Sequence, residues 1–504
     1  MPYTLVIVLL LLVMCAAVAA PPAPPPDDLI AGPASGPWRR LFLDAMVTEQ
    51  QQGLQRVCHA ATPHPANPII KADQPWEQYA TFGGPYLYGT VMWDEGKLRM
   101  WYHVHGEGGY LNCHAESTDG VQWTKPSLGL VDFHGSKDNN IYLGITPKDE
   151  IEFPDLHHGA GKCHNASVIK RPWEPDPQKR YALFCYGVEY RRPRVAFSPD
   201  GLHWTFVRET AQKGLFGSGD VINFTWDPYK RRYFATYKTG DRRGRAAGVA
   251  VSADGLNWTK PVETPVFGAD DLDPDATQVY GMPVFCYQGL YLGQPWIYNS
   301  RWFKYGTYTD QRMYEVEKDS PCTMDVQLAW SWDLIRWTRP PQRASFIPRG
   351  KEGAWDDAMI YTARAPVQVG DELYFYYGGW DGPHNATNAK ASIGLATLRL
   401  DGFCSMQAGK QEGWLISRRE AMTKPRVTIN AVCRAGGVVV AELLDKDNHV
   451  LPGCSREDCV PFKGDAVRHV LTWKATDFAP DQTEGDKKVR FFLKHADLYS
   501  YLPE

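Results

Sequence analysis

Between residues 88 and 116, apolar and polar side chains alternate in three short runs, 88–93, 98–104 and 111–116. A period of two marks a strand with one buried face. Asp94-Glu95-Gly96 supplies a tight turn between the first two runs. The same three-run unit returns at 165–170, 181–187 and 194–197, at 221–226, 233–238 and 248–251, and at 280–287, 290–298 and 324–330. A fifth copy follows at 359–369, 373–380 and 392–399. Past residue 405 the repeat stops. Runs 428–432, 437–444, 467–473 and 489–493 still read as strands, 496–501 reads as a closing strand, and no helical stretch lies between them.

A short phrase closes each of the first four units. Ser117-Thr118-Asp119-Gly120-Val121-Gln122-Trp123 returns around Asp200-Gly201 and Trp204, around Asp254-Gly255 and Trp258, and in a worn copy around Asp333 and Trp337. The Trp-to-Trp steps are 81, 54 and 79 residues. A repeat of about 50 residues with insertions belongs to a solenoid or a propeller. The Asp carboxylate can accept bonds from backbone N–H groups two residues on, and Gly accepts a positive φ. The Trp then opens the next strand with a large apolar face. Asp119, Asp200 and Asp254 are therefore expected to be turn caps on the outer rim, remote from any chemistry. The predicted fold is all-β: a five-bladed β-propeller over residues 41–410, followed by a small β-sandwich over 411–504.

Composition agrees. The chain has 504 residues, 13% of them aromatic, with 45 glycines and 38 prolines, so it is rich in turns. A net charge of −4 gives no electrostatic case for a nucleic-acid partner. Residues 6–14 form an apolar run, and Ala17-Val18-Ala19 offers a small-residue cleavage site. Residues 1–20 read as a secretory signal peptide, although no Lys or Arg precedes the run. The run is short for a bilayer span, so no integral membrane domain is expected. A lipid anchor at Cys15 and a retained apolar tail are the alternatives. The Pro-rich residues 21–40 read as a linker, and the location as secreted or periplasmic.

Of 11 cysteines, ten remain after the signal. Cys113, Cys185 and Cys286 lie within apolar runs and read as buried free thiols. Cys454 and Cys459 flank a short loop and are the expected bridge. Of four Asn-x-Ser/Thr sequons, those at Asn165 and Asn223 fall too deep in strands to be modified, unlike Asn257 and Asn385.

The five units with Asp-Gly-x-x-Trp turns, the trailing β-segment and the phrase Ile393-Gly394-Leu395-Ala396-Thr397-Leu398-Arg399-Leu400-Asp401-Gly402-Phe403 together resemble glycoside hydrolase families 32 and 43. The resemblance spans roughly residues 40 to 500. The turn phrase is also similar to the Asp-box of sialidases, with one residue fewer between Asp and Gly. The resemblance implies a saccharide substrate and acids at the starts of the first three innermost strands. There this chain has Tyr86, Asn165 and Asp220, so one expected acid of three is present.

Glycoside hydrolysis generally needs two carboxyl groups across one sugar. Asp220, Asp356, Asp357 and Asp275 stand at strand starts around the expected axial mouth and are the catalytic candidates. Capping of a strand start, or a blade-to-blade hydrogen bond, is the structural alternative for each. Neighbouring Asp356 and Asp357 point to opposite faces, so one of them should face the mouth. His164, Asn165, Tyr86, Gln278 and Trp355 are the substrate-binding candidates. Glu77, Glu189 and Asp273 are weaker acids in the same region, and Trp296, Trp302 and Trp380 are candidates for stacking on sugar. His103, His105, His157 and His158 could line the mouth. No metal-ligand spacing stands out and no cofactor is expected; a Ca²⁺ in the propeller axis near His164 is the one ion considered. There is no Gly-x-Ser-x-Gly elbow, phosphate loop or dinucleotide fingerprint. The leading reading is an exported glycosidase with paired carboxylates. The alternatives are a non-catalytic carbohydrate-binding propeller and a sialidase-like enzyme, which would need converging arginines from Arg191, Arg192, Arg242, Arg243 and Arg301.

Overall fold

A computed structural model describes residues 30–78, 83–106, 109–144, 163–188, 191–274, 276–300, 321–478 and 485–504. Among them the chain is almost entirely β, with one α-helix at Arg208–Lys213. Consecutive strands pair antiparallel through tight turns and form small sheets around an axis, as in a β-propeller.

The first sheet holds Gly84–Asp94, Lys97–Gly106, Gly109–Ser117 and Ile141–Leu143. The second holds Cys163–Lys170, Tyr181–Gly187, Arg192–Ser198 and Thr205–Phe206. The third holds Ile222–Asp227, Arg232–Asp241 and Gly244–Ser252. The fourth holds Val284–Tyr287, Leu290–Gly293, Ala329–Ser331 and Trp337–Thr338.

The blade count departs from the prediction. Four blades stand as separate sheets, and the strands assigned to a fifth do not. Met359–Thr362, Glu372–Trp380 and Ala391–Arg399 share an eight-stranded sheet with Gln278–Gly281, Trp296–Asn299 and Thr323–Val326. The junction is a parallel step between Met324 and Met359. The cause lies in the fourth unit, where Pro283 and Pro295 interrupt the ladder because neither has an N–H to donate. Their carbonyls instead accept from Gln294 and Gln327, at 2.8 and 3.1 Å. The segment Thr62–Pro63 supplies the outer strand of this large sheet, pairing with Thr397 and Ala396.

Each innermost strand is tied to the next. Thr90 Oγ1 accepts from Val168 N at 2.9 Å, and Ser167 Oγ accepts from Phe224 N at 3.2 Å. Thr225 Oγ1 donates to the Val284 carbonyl at 2.8 Å. Trp296 Nε1 donates to Thr362 Oγ1 at 3.1 Å, and Arg364 N returns to the Gly89 carbonyl at 3.1 Å. These bonds satisfy polar groups that would be costly to bury alone.

The turn phrases form four near-identical caps. One carboxylate oxygen of Asp119, Asp200, Asp254 and Asp333 accepts two backbone N–H bonds, all at 2.8–2.9 Å. Gly120, Gly201 and Gly255 take φ near +80°, and Leu334 takes +71° in the worn copy. The caps also join blades. The Gly120 carbonyl accepts from Tyr376 at 2.8 Å and the Gly201 carbonyl from Trp101 at 2.7 Å.

After the propeller, Cys404–Ala408, Gly413–Ser417, Val427–Leu444, Asp465–Leu471 and Lys488–Pro503 form a second eight-stranded sheet. Its other strands come from the start of the chain: Arg40–Leu41, Thr48–Gln52 and Gln55–Cys58. Phe42, Leu415, Phe491 and Tyr501 meet in its core. Cys58 and Cys404, opposite each other on paired strands, form a disulfide. A second disulfide joins Cys163 to Cys185. Cys185 is therefore not a free thiol, and Cys454 and Cys459 are buried and unbridged. Both bridges link adjacent strands, a relation that spacing along the chain does not reveal. Cys113 and Cys286 are buried thiols, as expected. Asn165 and Asn223 are buried, whereas Asn257 and Asn385 are exposed.

Asp254→Ala should destabilise the protein by about 1 kcal/mol, the scale of a lost cap, and leave any turnover unchanged. Chemical denaturation alongside an activity assay checks both halves.

Candidate active site at the propeller mouth

The starts of the innermost strands bring a ring of aromatic side chains together. Tyr88 stacks on Trp296 and Tyr361, with centroids 5.1 and 4.9 Å apart. Tyr361 stacks on Tyr280 at 5.9 Å, and His384 Nε2 lies 3.0 Å from the Tyr280 hydroxyl. Tyr110 stacks on His164 at 4.6 Å. These rings come from strands far apart in sequence, which only closure of the blades around an axis makes neighbours.

Asp220 stands at this mouth, just ahead of the strand Ile222–Asp227. Its carboxylate pairs with the Lys238 ammonium, and its side chain is 46% exposed. Lys238 also lies 4.8 Å from the centre of the Tyr280 ring. Burial pushes the Asp220 carboxyl up, but Lys238 outweighs it and holds the group below the usual range. Asp220 is thus a carboxylate at neutral pH.

His164 is buried between Tyr88 and Tyr110. Burial lowers its pKa to about 4, against the upward pull of Asp220. It is a neutral imidazole near pH 7 and serves as a hydrogen-bonding group rather than a cation. Asn165 takes a left-handed backbone, φ +58°, and its Nδ2 donates to the Asp220 carbonyl. This contact fixes the backbone on which Asp220 stands. Tyr86 is buried against Trp380, 5.4 Å away. Gln278 Oε1 accepts from the Arg245 backbone at 3.2 Å, so it forms part of the wall.

The other candidates lie in different surroundings. Asp356 is 5% exposed and accepts from the Tyr377 hydroxyl at 2.9 Å. Tyr377 in turn receives Asn67 Nδ2 at 3.1 Å and is covered by Trp355, with centroids 5.6 Å apart. Burial raises the Asp356 carboxyl, with a smaller push from the charge of Asp357. The Asp357 carboxylate accepts from Gly353 N at 2.7 Å and caps its own turn. Neither is hydrogen-bonded or paired to Asp220 or Lys238. Asp275 lies outside the described residues, as do Glu189, Trp302, His157, His158 and Arg301. Asp273 pairs with Arg339, and buried Glu77 with Lys125 at 2.6 Å, both within blades.

Trp296 and Trp380 are at most 2% exposed, so both pack between blades and offer no face to a sugar. Arg192 donates to the Lys213 carbonyl and Arg243 pairs with Asp271, so these two do not converge on the mouth. No group of His, Cys, Asp or Glu that could hold a metal ion occurs among the described residues. Sequence reading missed Lys238, Tyr110, Tyr280 and Arg245. The one signal for Lys238 is a charged residue ending an otherwise apolar middle strand, Tyr233 to Tyr237.

No family model matches the sequence, and no curated protein does either. Among solved structures, a glycosyl hydrolase from Bacteroides ovatus aligns over 68% of this chain and 94% of its own, at 16% identity and a TM-score of 0.45. A structure from work on the GH130 family of mannoside phosphorylases aligns over 68% and 94%, at 17% identity and a TM-score of 0.44. A β-1,2-mannobiose phosphorylase from Listeria innocua aligns over 67% and 96%, at 11% identity and a TM-score of 0.43. Similarity at this level decides nothing about the chemistry of this chain.

Removing the Lys238 charge leaves burial as the dominant influence on Asp220. Lys238→Met should therefore raise the Asp220 pKa, and the acid limb of any pH profile governed by Asp220 should move to higher pH. Carboxyl-carbon NMR titration of wild type and variant measures the shift directly; a fall or no change contradicts the pairing.

Proposed function

We propose that this chain is an exported carbohydrate-active enzyme that cleaves glycosidic bonds at the propeller mouth. The observation that carries the reading is Asp220: a half-exposed carboxylate, held ionised by Lys238, within a bowl of aromatic rings. Aromatic faces suit the apolar faces of sugar rings. An ionised carboxylate suits the base or nucleophile of glycoside cleavage, where an oxocarbenium-like transition state forms. The second carboxyl must carry a proton, which a raised pKa favours. Asp356 meets that requirement among the described residues; Asp357 is the alternate to Asp356, and Asp275 is the reserve base.

The resemblance to glycoside hydrolase families 32 and 43 belongs to this proposal, as does export. Two disulfides fit an oxidising compartment, which the apolar run at 6–14 would direct the chain to. A second reading, a non-catalytic carbohydrate-binding propeller, is favoured by Tyr86 and Asn165 standing where the resembled families carry acids.

Screening the purified protein on a glycan panel separates the two. On a cleaved glycan, Asp220→Asn should lower kcat by about 10²-fold or more, with a comparable loss in Asp356→Asn. If both variants keep near-wild-type turnover, the carboxylate assignment fails. Binding without cleavage by the wild type establishes the second reading.

A further inference from the structure

Beside Asp220, the third blade carries an open cleft of about 620 Å³, within the size range of small-molecule sites. Its wall carries three cations, Lys238, Arg245 and Lys260, and one carboxylate, Asp241. Asp220 answers the charge of Lys238. The Arg245 guanidinium is seated on rings, 4.8 Å from the centre of Tyr298 and 5.6 Å from that of Tyr280. The Lys260 ammonium lies 5.0 Å over the Tyr237 ring and has no carboxylate partner among the described residues. The Asp241 carboxylate accepts from Arg243 N at 2.7 Å at the hairpin rim, where Arg242 adds an exposed positive charge. A local excess of positive charge in a chain of net charge −4 calls for a specific reason. Gly219 lets the wall pack closely: a Cβ there would come 2.9 Å from the Lys238 carbonyl oxygen.

We propose that this cleft binds an oxyanion: a carboxylate or sulfate on the saccharide, or free phosphate, placed next to the sugar at Asp220. The saccharide-borne form rests on the functional reading above and would make the substrate an acidic glycan. Lys260 supplies the uncommitted charge, and Arg245, held over two rings and donating to Gln278 Oε1 at 3.4 Å, adds a second cation to the wall.

The test is calorimetric titration at low salt with inorganic phosphate, sulfate and D-glucuronate, and with D-glucose as the neutral control. At least one anion should bind while glucose binds about tenfold more weakly or not at all, and Lys260→Gln should cost about tenfold in anion affinity. Lys260→Arg should retain it, and added sodium chloride should weaken it. Tight glucuronate binding assigns the anion to the saccharide, whereas binding of phosphate or sulfate alone assigns it to a free ion. Asp220→Asn removes the negative charge beside Lys238 and should bind the anion more tightly although it loses cleavage. Anion binding in a protein that cleaves no glycan would therefore leave this inference standing without the functional one. Glucose binding as well as glucuronate with no response to phosphate or sulfate, or unchanged anion affinity in Lys260→Gln, overturns it.

Discussion

Each small antiparallel sheet of this protein has two apolar faces and can bury them only against its neighbours. That constraint forces closure of the blades around an axis, and the rest of the structure depends on it. Phe184 of the second blade stacks on Phe224 of the third, 4.7 Å apart, and Trp101 of the first reaches the turn of the second. The closing step uses both ends of the chain. Thr62–Pro63 completes the outer edge of the last sheet, and the Cys58–Cys404 disulfide fastens the strand before it to the strand after the propeller. A break anywhere in this ring would expose sheet faces and unpaired edges at once.

Closure also makes the site. The innermost strands start at one end of the axis, so whatever side chains stand there must converge. Tyr88, His164, Asp220, Tyr280 and Tyr361 become neighbours although they span nearly three hundred positions of sequence. In that crowded setting burial keeps His164 neutral. Asp220 escapes because Lys238 answers its charge.

What the sequence discloses follows the range of the forces involved. The four caps at Asp119, Asp200, Asp254 and Asp333 were legible because a turn is settled by its own few residues. Alternation exposed the strands for the same reason. The break at Pro283 and Pro295 was hidden, because a proline within a run tells of a missing donor without telling which strand loses it. The pairing of Cys163 with Cys185 and the insertion of residues 40–58 into the C-terminal sheet are relations between distant segments. Asp220 could be nominated from its position at a strand start. Lys238 was missed because it matters only through the residue it faces.

The central claim is that the mouth around Asp220 is where this protein meets a saccharide. A crystal structure of Asp220→Asn soaked with the glycan the wild type cleaves tests it most directly. The account predicts a sugar ring over residue 220, in contact with Tyr110 or Tyr280. Sugar bound elsewhere, for instance on the stacked Trp173–Trp226 pair at the opposite end of the axis, with the mouth empty, would contradict it.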